Sequence, residues 1–140
     1  MKLYIAGPMR GYVDYNFPAF HAMAKKLRDA GHEVVSPAEM DEAAYGTQDG
    51  IDAAAKKKNA LREFMARDLP ALLACDGVVL LDGWNNSQGA AIESFVAAMT
   101  GIPLYTDARL SDTISIYRLL VIVGSKIVGE ANERDVPRGE

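Results

Sequence analysis

Within its first 36 residues the chain reads strand, glycine-proline break, amphipathic helix, glycine, strand, and that order leaves few folds open. Leu3-Tyr4-Ile5-Ala6 is a short apolar run ended by Gly7-Pro8, the pattern of a strand buried on both faces. Phe17, Phe20, Met23, Ala24 and Leu27 then recur at helical spacing, with Asn16 as a candidate cap, Pro18 in the first turn and Gly31 closing the pattern. Glu33-Val34-Val35-Ser36 reads as a second strand, stopped by Pro37. So short a strand-helix-strand sequence is a βαβ unit, which calls for parallel strands and a right-handed crossover.

The alternation continues. Residues 38–50 are polar and suit a long loop with some helical turns. Residues 52–67 read as a helix with Leu61, Phe64 and Met65 on one face, and Lys56-Lys57-Lys58 as its solvated face. Pro70 is expected to kink or restart that helix, which makes Asp68 a cap for a short segment, residues 69–74. Gly77-Val78-Val79-Leu80-Leu81 is the clearest buried strand; a helix over 88–100 and a fourth strand, Pro103-Leu104-Tyr105-Thr106, follow. Residues 112–123 read as a further helix, although their β-branched side chains also suit a strand. The expectation is an α/β fold: a single flavodoxin- or Rossmann-like domain over residues 1–128, and a charged C-terminal tail, 129–140. Its open parallel sheet has four to five strands with helices on both faces. Ligands of such sheets bind outside the carboxyl ends of the strands.

Composition removes several function classes. In 140 residues, 15 Lys and Arg face 19 Asp and Glu, a net charge of -4, so there is no basic surface for a nucleic-acid polymer. Cys75 is the single cysteine, which excludes an intrachain disulfide and a cysteine metal knuckle and fits a reducing cytoplasm. His21 and His32 lie apart from each other and from any carboxylate cluster, so no metal is expected. Neither the short run before Gly7-Pro8 nor the stretch 114–123 has the length of a signal peptide core or a membrane span. The reading is a soluble cytoplasmic protein with no membrane partner.

Candidate chemistry gathers at the expected carboxyl edge. Gly7-Pro8-Met9-Arg10-Gly11 follows the first strand; its glycines admit close approach of a ligand, and Arg10 offers a planar fork to an anion. It lacks the Gly-Lys-Ser/Thr ending of a phosphate loop, and an ordinary strand-to-helix turn has the same residues. In Ser87-Gln88-Gly89-Ala90-Ala91-Ile92-Glu93 a helix start offers free amides. Glu93 sits about one turn inside it among small neighbours that leave room for a ligand; a glutamate placed there for helix electrostatics reads alike. Asp68 and Asp76 have capping readings of equal standing. Asp82 stands at a strand's carboxyl end, Trp84 either covers a loop or stacks on a base, and Tyr12 and Tyr15 line either the pocket or the surface.

Together these residues resemble the nucleoside 2-deoxyribosyltransferase superfamily, including its 2'-deoxynucleoside 5'-monophosphate N-glycosidase branch. The resemblance is carried by Tyr4-Ile5-Ala6-Gly7-Pro8-Met9-Arg10-Gly11, by Asp68 lying eight residues before Asp76 and the third strand, and by Ser87-x-Gly89-x-x-x-Glu93. It covers about residues 1–107. It implies that Glu93 is a nucleophile toward the anomeric carbon of a sugar and that Asp68 contacts the sugar hydroxyl or protonates the leaving base. It also implies substrate contacts from Gly7, Met9, Arg10, Gly11, Ser87 and Gly89, and Tyr15, Asp82 and Trp84 join them as candidates by their place at the same edge. The position of Ser87 is typically acidic in the nucleoside transferases and a phosphate-binding serine in the monophosphate hydrolases, so Ser87 implies a 5'-monophosphate. Trp84-Asn85-Asn86 departs from the hydrolase pattern. A small nucleotide or nucleoside as partner, a homodimer or larger homo-oligomer, and no cofactor complete what the resemblance implies. Base exchange between deoxynucleosides, or nucleotide binding without catalysis, are the alternatives.

Overall fold

The computed structural model describes residues 1–115, 118–122 and 124–125. Its elements run β1 (Lys2–Ala6), α1 (Phe17–Asp29), β2 (Glu33–Val35), α2 (Pro37–Tyr45), α3 (Gln48–Ala55), α4 (Ala60–Leu73), β3 (Gly77–Leu80), α5 (Gln88–Met99), β4 (Leu104–Tyr105) and β5 (Thr113–Ile114). Short 3-10 turns at Val13–Asn16 and Trp84–Asn86 lead into α1 and α5.

The five strands form one sheet in the order β2-β1-β3-β4-β5. β2, β1, β3 and β4 are parallel, and β5 joins the edge antiparallel, pairing Leu104 with Ile114. The α/β class and the mostly parallel sheet agree with the sequence reading; the antiparallel edge strand does not. The chain reverses after Tyr105 through a turn in which Thr106 N donates to Asp112 O at 3.1 Å. The β-branched pair Thr113-Ile114 then extends where a helix was expected from residue 112, and residues 118–122 are helical. The tail, 129–140, and the boundary at 128 lie outside the described residues.

Strand alternation divides the core. Tyr4, Ala6, Val78 and Leu80 point to one face and pack with Leu72 of α4 and with Ala90 and Ala97 of α5. Leu3, Ile5, Val79 and Leu81 point to the other, against Phe17, Phe20, Ala24 and Leu27 of α1 and Ile51 of α3. Leu3 to Ala6 and Val78 to Val79 are almost wholly inaccessible, which is why these strands are continuous apolar runs rather than alternating ones.

Three helix boundaries differ from the sequence reading. The loop expected over 38–50 is largely helical, with Pro37 in the first turn of α2, where its missing N–H loses nothing. The single helix expected over 52–67 is two, α3 and α4, separated by exposed Lys56, Lys57, Lys58 and Asn59. α4 also runs straight through Pro70, so Asp68 is a helix-interior residue and caps nothing. The carbonyl that loses its partner to Pro70 belongs to Ala66; both residues are exposed, so the loss falls on the solvent side of the helix. Among the described residues, no helix is long and apolar enough to cross a membrane.

Candidate active site

β1 and β3 are neighbours whose chains leave toward opposite ends of the sheet, and a crevice opens outside their carboxyl ends at this switch in strand order. There a cavity of about 300 Å3 is enclosed by the loop after β1, the start of α2, the end of α3, the face of α4 and the start of α5. Gly7 allows the loop after β1 to pass against β3: a Cβ there would meet Leu81 Cβ and Cδ1 at 2.8 Å. Gly11, with φ +82°, turns that loop away from the cavity.

Beyond Gly11 the backbone is strained. Asp14, Tyr15 and Asn16 have φ of 51°, 52° and 61°, and left-handed non-glycine residues cost about 1 kcal/mol or more each. Tertiary hydrogen bonds hold them. Asn16 Nδ2 donates to Pro8 O at 2.9 Å, so this residue braces the loop and does not cap α1 with its side chain. The Tyr15 hydroxyl donates to Asp52 of α3, which raises the phenol's pKa. Arg10 Nη2 donates to Ala55 O at 3.1 Å, in the last turn of α3.

The floor of the cavity is built of buried ionisable side chains. Asp41 of α2, Asp68 of α4 and Glu93 of α5 are 5%, 4% and 5% exposed, and all three line it. Arg67 ties the first two together: its Nη1 lies 2.7 Å from Asp41 Oδ1 and its Nε donates to Asp68 Oδ1 at 2.6 Å. Burial raises the pKa of both aspartates, and the Arg67 charge opposes it. Burial alone would lower the pKa of Arg67, but the two carboxylates outweigh that and hold it above its ordinary value.

Among the described residues, Glu93 has no such cation in direct contact. Burial pushes its carboxyl up to about 8; Tyr4 and Arg67 pull it down, and the Asp68 charge adds to the rise. The Tyr4 hydroxyl is close enough to act on it, yet neither that hydroxyl nor Glu93 Oε2 completes a hydrogen bond of good geometry. Gly89 stands beside this carboxyl: a Cβ there would lie 3.9 Å from Glu93 Oε1, an ordinary contact. Ser87 is the N-cap of α5, its Oγ accepting from Ala90 N at 3.2 Å, and its hydroxyl hydrogen remains free to be donated.

Of the residues singled out in the sequence, Gly7, Met9, Arg10, Tyr15, Asp68, Ser87, Gly89 and Glu93 line this one cavity. Gly11, Asp82 and Trp84 do not. Trp84 packs into the core beside Leu80 and Ala90, and Asp82 and Trp84 border a second cavity with Thr106, Ile114 and Arg118. Sequence reasoning missed Asp41, Arg67 and the hydroxyl of Tyr4. Arg67 had a signal, a cation adjacent to a candidate buried acid; Asp41 had none, being one acid in a polar stretch read as loop. Among the described residues, no group of three or more His, Cys, Asp or Glu is arranged to hold a metal ion.

A mostly parallel sheet with a carboxylate-floored cavity at its switch point defines an α/β protein of the doubly wound class. Within that class the chain belongs to the family described as domain of unknown function DUF4406, whose model matches residues 1–106. Two solved structures share the fold. One is a 2-deoxyribosyltransferase from the psychrotolerant bacterium Bacillus psychrosaccharolyticus, 19% identical, with TM-score 0.58 over 84% of this chain and 80% of the other. The other is a conserved protein from Enterococcus faecalis V583, 21% identical, with TM-score 0.50 over 96% of this chain and 98% of the other. Comparison with curated proteins gives no match.

Proposed function

We propose that this protein is an enzyme of nucleoside or nucleotide chemistry that hydrolyses the N-glycosidic bond of a (deoxy)nucleoside 5'-monophosphate. The observation that carries this reading is Glu93: a carboxylate buried at the head of α5, on the wall of a ligand-sized cavity that Gly89 also lines. In the proposed reaction the ionised Glu93 attacks the anomeric carbon, the bond to the base breaks, and the base leaves with its electron pair and takes up a proton. Water then attacks the same carbon, releasing the sugar 5-phosphate and freeing the carboxylate. Asp68 contacts the sugar hydroxyl or supplies the proton. The surplus of carboxylates over cations on the floor suits a transition state that carries positive charge on the sugar.

Arg10, Gly89 and Ser87 are the proposed phosphate contacts. Arg10 spends one nitrogen on Ala55 O and keeps its other donors, while Ser87, Gln88 and Gly89 at the start of α5 line the cavity where a helix N-terminus favours an anion. Replacing Arg10 by Ala is expected to weaken binding of a nucleoside 5'-monophosphate about 10- to 100-fold, the size of a hydrogen bond to a charged group, and leave nucleoside binding nearly unchanged. Equal losses for both ligands would remove Arg10 from phosphate binding.

The likeness to a 2-deoxyribosyltransferase favours base exchange as a second reading. One assay separates the two: base release by chromatography from each nucleoside and each 5'-monophosphate, with and without a second free base. Free base from monophosphates alone supports hydrolysis. New nucleoside formed only with the second base replaces it by transfer, and binding without release replaces both by a nucleotide-binding module.

A homo-oligomer belongs to the same proposal. Ile92, Phe95 and Met99 make an exposed apolar stripe along α5, next to Glu93, whereas Ile114 and Leu119 of the C-terminal stretch pack into the core. Sedimentation equilibrium is expected to give a dimer or larger species that Phe95→Asp dissociates; a monomeric parent protein refutes it.

A further inference from the structure

We propose that Arg67 and Asp41 are positioning residues that set the charge state of Glu93, Asp41 taking up part of the Arg67 charge so that only the remainder reaches the reacting carboxylate. This deepens the proposed reading of Glu93 and rests on it. The argument starts from geometry. One half-buried guanidinium serves two almost fully buried aspartates from two different helices, at 2.7 Å to Asp41 of α2 and 2.6 Å to Asp68 of α4. All four charged groups, Glu93 included, line the same cavity.

As a device for stability this arrangement is poor, since well-packed apolar side chains commonly replace a buried ion cluster at no loss. Asp68 alone is sufficient to pair Arg67. Asp41 is the surplus member, and its negative charge offsets the Arg67 charge felt at Glu93. The groups that act on Glu93 are Tyr4 from β1 and Asp68 and Arg67 from α4; those that act on Asp41 are Arg67, Asp68 and its neighbour Glu42. Asp41 therefore reaches Glu93 through Arg67. An unopposed Arg67 would hold Glu93 ionised but would also oppose the positive charge that the sugar carries in the transition states of both steps, so Asp41 favours that charge at the expense of the ionised Glu93.

The two variants Asp41→Asn and Arg67→Gln should consequently move Glu93 in opposite directions. The Glu93 side-chain carboxyl is followed by 13C NMR across pH 5 to 10 in the full-length protein, with folding checked by circular dichroism. Asp41→Asn, nearly isosteric, is expected to lower the Glu93 midpoint by about half a pH unit or more, because the Arg67 charge is released toward it. Arg67→Gln is expected to raise it. Unmoved midpoints in folded Asp41→Asn, or a shift of both variants in one direction, would overturn the proposal. If Arg67→Gln fails to fold, Asp41→Asn decides alone. Base release gives the second reading: its dependence on pH should follow the NMR midpoint in Asp41→Asn, with kcat lowered and KM nearly unchanged. A protein that releases no base from any substrate defeats the enzymatic reading, while the NMR midpoints still decide the charge coupling.

Discussion

Replacing Glu93 by Ala is expected to lower base release by on the order of 10⁴-fold or more, the usual loss when a covalent nucleophile is removed. Nucleotide binding should survive, because the proposed contacts of Arg10, Ser87 and Gly89 are untouched. The rate of the parent enzyme should also rise as pH increases toward about 8, since burial holds Glu93 protonated below that value and only the ionised form attacks. Chromatographic base release across pH 5.5 to 9.5 checks both statements. Near-native turnover in Glu93→Ala would remove Glu93 as nucleophile, and a rate that falls through the same range would make it a proton donor instead.

The second large effect concerns stability and does not depend on any activity. In the unfolded chain Glu93 titrates near the ordinary 4.5, and in the folded protein near 8. The folded state thus binds the proton more tightly, so stability is highest below 4.5, falls as pH rises through this window and is level again above 8. A displacement of this size corresponds to several kcal/mol, at about 1.4 kcal/mol for each pH unit. Glu93→Gln keeps the shape and cannot ionise. It is expected to match the parent protein in urea denaturation at pH 4.5 and to exceed it by roughly 2–5 kcal/mol at pH 9. Comparing the two proteins cancels the other titrating groups. Equal stabilities at pH 9 would show that water or a local rearrangement solvates the carboxylate. A gain in stability on removing a candidate catalytic group is what a site built against the grain of folding should give.

Much of the fold is legible from local pattern. Leu3-Tyr4-Ile5-Ala6 and Gly77-Val78-Val79-Leu80 are strands because continuous apolar runs of that length have no other stable burial. Phe17, Phe20, Ala24 and Leu27 form one face of α1 by their spacing alone. Legibility fails where a long-range contact or solvent overrides a local rule. Pro70 looks like a helix end, but the donor it removes faces water, so α4 continues and Asp68 becomes an interior residue free to turn toward Arg67. Thr113-Ile114 extends because β4 offers it an unpaired edge.

The candidate site divides in the same way. Gly7, Arg10, Ser87, Gly89 and Glu93 sit in segments that the topology must bring to the carboxyl ends of adjacent parallel strands, and the order of elements in the sequence suffices to place them there. Asp82 follows β3 just as directly, yet it borders the other cavity with Trp84. The sequence by itself therefore determined the layered α/β architecture and the edge at which ligands gather, because both follow from periodicity and chain order. Only the tertiary structure decided which acids share one buried floor, and that Arg67 joins Asp41 to Asp68 in the cavity that Glu93 also lines. Those relations are distances between side chains on three separate helices, and no spacing along the chain encodes how closely α2, α4 and α5 approach.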